Sequence, residues 1–96
     1  MEAVEIERVR AEAHHLAARQ PGRTVELRIP PYVAVQLGSG AGGPAHRRGT
    51  PPTVVEMDPS TFLDLVDARL AWSEALASHR VSASGVHADL AGLFGR

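Results

Sequence analysis

Residues 53–85 read TVVEMDPSTFLDLVDARLAWSEALASHRVSASG, and this stretch alone carries a full run of structural commands: strand, helix, helix, strand. Asp58 before Pro59 starts a helix, because the Asp side chain accepts from the orphan amides of the first turn and Pro at the first position gives up no N–H that is needed there. Phe62, Leu63, Leu65, Val66 and Leu70 then fall on one wide apolar stripe, opposite Asp64 and Asp67. Trp72, Ala75, Leu76 and His79 repeat the helical period in a shorter helix. From Arg80 the period drops to two, Val81 and Ala83 against Ser82 and Ser84, and Gly85 closes the strand.

The order T-x-V-x-M, D-P-S-T-F-L-x-L, A-R-L-x-W, R-V-S-A-S-G resembles the core of the sterol carrier protein type 2-like family, and most of all its short actinobacterial form. Ala88, Asp89 and Leu90, the segment VELRIPPYVAVQ at 25–36 and RRGTPP at 47–52 are similar to that form too. The resemblance covers most of the chain after about residue 24. It implies a two-layer fold whose cavity, between sheet and helices, holds a lipid or other hydrophobic small molecule without a cofactor; some members serve as accessory domains joined to enzymes. Ala68 stands where the family commonly has Gly, and so does His79. The tightness of both turns is therefore left open.

Working outward toward the N-terminus, residues 2–19 make an amphipathic helix, with Ile6, Val9, Ala13, Leu16 and Ala17 on one side. Gln20-Pro21-Gly22 stops it. Basic residues do not dominate its polar face, so a lid on the sheet explains it better than a membrane or partner contact. Val25, Leu27 and Ile29 alternate with Thr24, Glu26 and Arg28, and Val33, Val35 and Leu37 resume the alternation after Pro30 and Pro31. Neither proline can donate to a ladder, so the chain turns or bulges there, or lies at an edge.

Residues 38–52, GSGAGGPAHRRGTPP, have no period and read as a flexible loop. A phosphate cradle at Arg47 and Arg48 is disfavoured, because no Gly-Lys-Ser/Thr and no helix follow; a flexible connection that gates a pocket fits better, and plain disorder better still. Beyond Gly85, Val86, Leu90, Leu93 and Phe94 space a short terminal helix that depends on docking for its order.

The 96 residues suit one domain, 1–96, with a helix over 1–20 at its start. Aromatics are only 4% of the chain, so Tyr32, Phe62, Trp72 and Phe94 are its only large rings. A net charge of -1 makes no field for phosphate backbones, which argues against nucleic acid. There is no cysteine, hence no disulfide or thiolate metal site, as suits a reducing cytoplasm. No run of apolar residues is long enough for a membrane span, and no secretory signal or peroxisomal address is read at either end.

With Val25, Leu27, Ile29, Val33, Val35, Leu37, Val55, Met57, Val81 and Ala83 on one face, the fold class is α+β. The expected form is a two-layer domain with a small sheet of four or five strands, mostly antiparallel or mixed, and helices on one face.

Catalytic and metal constellations are not visible. No two of His14, His15, His46, His79 and His87 have the spacing that offers a helix-borne metal pair, and surface positions are expected for all five. No serine sits in a nucleophile turn. Asp64 and Asp67 read as a solvated face beside Arg69 rather than a carboxylate pair. Arg69 and Arg80 fit surface ion pairing better than a ligand head group.

The expected function is therefore non-catalytic binding of a hydrophobic small molecule, without cofactor or metal, in a site walled by Val55, Met57, Phe62, Leu65, Val66, Trp72, Leu76 and Val81. The alternative is an accessory module with a closed core that binds another protein through its polar sheet face or its loop; a homodimer stays open, and an enzyme comes third.

Overall fold

The structure, a computed structural model, describes residues 1–38, 53–85 and 90–94. The elements are α1 (Ala3–Arg19), β1 (Val25–Ile29), β2 (Val33–Leu37), β3 (Thr53–Met57), α2 (Pro59–Val66), α3 (Trp72–Ala77), β4 (Val81–Ser84) and α4 (Ala91–Phe94). They form an α+β fold with a mixed, open sheet, as the alternation of the strands implied. Of the expected loop at 38–52, residues 39–52, with Arg47, Arg48 and His46, lie outside the described residues. So do Val86, His87, Ala88 and Asp89.

The strand order is β2-β1-β3-β4. β1 pairs antiparallel with β2 and parallel with β3, and β3 pairs antiparallel with β4. The register sets Val25 beside Leu37 and Thr53, Leu27 beside Val35 and Val55, and Met57 beside Val81. Because side chains alternate, this places every buried strand residue on one face and leaves Glu26, Arg28, Gln36, Glu56, Ser82 and Ser84 on the other. Ala83 lies opposite Val55 on the apolar face and is nonetheless exposed: β4 is an edge strand, and only its first residue, Val81, is buried.

The helices supply the second layer. α1 lies against β2 and α2 and buries Val9, Ala13 and Leu16. Arg8 grips Asp67 with both terminal nitrogens, Nη1 to Oδ2 at 2.9 Å, and so ties α1 to the residue that caps α2. The hydrogen bond to Asp67 holds the Arg8 guanidinium above its ordinary pKa. Pro30 and Pro31 meet in a cis peptide at the β1–β2 turn, which Tyr32 N–H closes by donating to Ile29 O at 3.0 Å. The segment between α1 and β1 crosses the end of β2 closely: a Cβ on Gly22 would stand 2.6 Å from Gly38 Cα, so glycine is required where the two backbones pass.

Candidate functional site

The floor of the candidate site comes from the sheet: Val55 fully buried, with Met57 and Val81 nearly so. Its roof is α2, whose position is set at the first turn. Asp58 Oδ1 accepts from Thr61 N–H at 2.8 Å and from the Ser60 hydroxyl at 3.0 Å, so the cap expected from Asp58-Pro59 forms. Partial burial opposes ionisation of Asp58, but the hydrogen bonds from Thr61 and Ser60 and the charge of Arg80 together outweigh it and pull its pKa below the ordinary carboxylate value. From that start, Thr61, Phe62, Leu63 and Leu65 face inward and are buried.

Both helices of the roof end in the same way. Past Asp67, Ala68 takes a left-handed φ of 58°, its N–H donating to Leu65 O at 3.2 Å and Arg69 N–H to Asp64 O at 2.8 Å. Past Ser78, His79 takes φ 61°, with His79 N–H to Leu76 O at 3.1 Å and Arg80 N–H to Ala75 O at 2.9 Å. These are paired Schellman closures, each with a non-glycine residue in the position glycine normally fills. The two arginines that follow converge on one carboxylate. Arg80 Nη2 is 3.0 Å from Asp64 Oδ2, Arg69 Nε is 3.4 Å from Asp64 Oδ1, and Arg80 Nε also donates to Thr61 Oγ1 at 3.1 Å. The charges on α2 thus clasp the two helix ends together, the ion pairing expected for Arg69 and Arg80.

Beneath the roof, aromatic rings meet. The Phe94 ring of α4 stacks on Trp72, centroids 6.0 Å apart and planes 13° from parallel, and makes a T-shaped pair with Phe62 at 6.1 Å and 83°. Both distances are those of favourable aromatic pairs. Phe94 thus contacts a ring from each of α2 and α3. Leu90 and Leu93 are buried with it.

Of the expected wall residues, Val55, Met57, Phe62, Leu65, Trp72 and Val81 fall in one buried cluster, and Val66 packs against it half-buried. Leu76 stands apart at 39% exposure: the six-residue α3 buries Trp72 and Ala75, which leaves Leu76 at the rim. Sequence reasoning put Phe94 on a docking helix but did not place it inside the site. Its rarity as one of four large rings was the available signal.

On the opposite, polar face two open depressions share Pro30 and Glu56. One, of about 430 Å³, runs over Arg28, Pro31 and Tyr32; the other, of about 270 Å³, over Asp58, His79 and Ser82. Among the described residues no cluster of His, Asp and Glu is placed to hold a metal. His14, His15 and His79 are exposed. The hydroxyls of Ser60, Ser78 and Ser84 are engaged with Asp58, with the carbonyls of Glu74 and Ala75, and with Val54 O. No described helix is long and apolar enough to cross a membrane.

The profile of one protein family, described as bacterial SCP ortholog, matches residues 3–95. No curated protein matches the chain.

Proposed function

The chain belongs to the bacterial SCP ortholog family, and on that premise we propose that it carries a hydrophobic small molecule, an acyl chain or sterol-like lipid, between its sheet and α2–α3, without catalysis. Val55, Met57, Phe62, Leu65, Val66, Trp72 and Val81 form the walls, with Leu76 at the mouth. A cytoplasmic location suits a chain without cysteine.

The observation that supports this reading is the contact of Phe94 with both Phe62 and Trp72, which we read as the filling of a lipid slot. Its filling belongs to a helix of four residues. Burying one Phe side chain is worth about 1.5–3 kcal/mol, whereas an acyl chain contributes about 0.8 kcal/mol for each methylene removed from water. Roughly five buried methylenes already outweigh the ring they displace. The same filling supports the second reading, a closed core in an accessory interaction module.

Native mass spectrometry of gently purified protein, with thermal shifts across fatty acids and sterols, separates the two. A bound lipid mass or a raised midpoint is the expected result. Neither, across the whole panel, would leave the interaction module.

A further inference from the structure

We propose that the helix-free face of the sheet is the contact surface of a homodimer, related by a two-fold axis running along the strands between β1 and β3. One row of side chains crosses all four strands on this face, Ala34, Arg28, Glu56, Ser82, and the next is Gln36, Glu26, Val54, Ser84. Only Glu26 and Val54 of these are even half-buried, so none of the described residues roofs the face.

The axis exchanges β1 with β3 and β2 with β4. Arg28 then stands opposite Glu56 of the second copy, and the reverse, while Ala34 meets Ser82 and Gln36 meets Ser84. Of the charged residues, Arg28 and Glu56 meet as opposite signs, Glu26 faces Val54 of the second copy while held by its own Arg28, and at the edge Ala34 meets Ser82 as small on small. Within the chain Arg28 donates its Nε to Glu26 and stands beside Glu56 across β1 and β3, which also attracts it, so the second copy closes two such cross-strand pairs into a ring of four alternating charges. A slip of one row sets Glu56 against Glu26 of the second copy, which like-charge repulsion disfavours. An axis across the strands would give Arg28 only Glu26, already held within its own chain, and would leave Glu56 with no cation of the second copy opposite it. The face measures about 19 by 17 Å from strand spacing and rise, small beside the roughly 800 Å² per partner of a standard interface. The pairing is accordingly reversible and concentration-dependent.

This dimer uses the side of the sheet away from the lipid slot and does not rest on the carrier reading. Light scattering of the purified chain in low salt, from micromolar to near-millimolar concentration, tests it. The mass is expected to rise from one chain to two. Arg28→Glu or Glu56→Arg alone is expected to weaken association about tenfold or more, and the two together to restore it. Ala34→Trp, bulky in a small-on-small contact, is expected to abolish association with the charges intact. A single-chain mass throughout, a dimer indifferent to either reversal, or a natively folded double variant that fails to recover would each overturn the proposal.

Discussion

Arg80 reaches across two helix ends to Asp64, Nη2 to Oδ2 at 3.0 Å, and thereby ties the close of α3 to the close of α2. Asp64 holds Arg69 on its other oxygen, so one carboxylate serves both arginines that follow the left-handed residues. Both partners are about a third exposed, and solvent screening keeps the pair weak. A double-mutant cycle of Asp64→Ala and Arg80→Ala, read by urea denaturation, is expected to give a coupling of about 0.3–1 kcal/mol that shrinks with salt. No coupling at low salt would show that the clasp does not contribute.

The left-handed backbone at Ala68 and His79 implies gains from glycine. An L-residue in this conformation costs roughly 1–2 kcal/mol, from which the extra freedom of glycine in the unfolded chain must be subtracted. Ala68→Gly and His79→Gly are each expected to stabilise by about 0.5–1 kcal/mol, raising the melting midpoint by a few degrees as seen by calorimetry. A lowered midpoint in both would mean that these turns relax to right-handed geometry in solution.

These two positions also show what the sequence reveals and what it hides. Asp58-Pro59 announced the start of α2 because capping is local chemistry, and the alternation of Val25, Leu27 and Ile29 announced a one-sided sheet. The end of α2 was harder. Leu70 fits the apolar stripe and does pack half-buried on the core, but the helix has already stopped at Val66, since the chain turns left-handed at an alanine that carries no turn signal. The parallel pairing of β1 with β3 and the contacts of Phe94 with Phe62 and Trp72 join distant segments, and no local pattern encodes them. Leu76 was misleading for a related reason: periodicity gives a face but not how far the covering layer extends.

Acid should loosen α2 through Asp58. Its folded-state pKa lies below the ordinary value, so the stabilisation it brings is complete above about pH 4 and is lost as pH falls through the folded-state value. Asp58→Asn, which keeps an acceptor but cannot titrate, is expected to lose less stability than the parent between neutral and strongly acid pH. Parallel curves from denaturant titrations at each pH would show that other carboxylates carry the whole acid response.

Trp72 is the chain's single tryptophan and it stacks on Phe94, so its emission reports directly on the slot. The most direct test of the carrier reading is energy transfer from Trp72 to a conjugated polyene fatty acid, titrated into the parent and into Phe94→Ala. Saturable quenching in the parent is predicted, with binding about tenfold or more tighter in Phe94→Ala because the ring the ligand must displace is gone. Trp72 emission unmoved by the fatty acid in both proteins would contradict it.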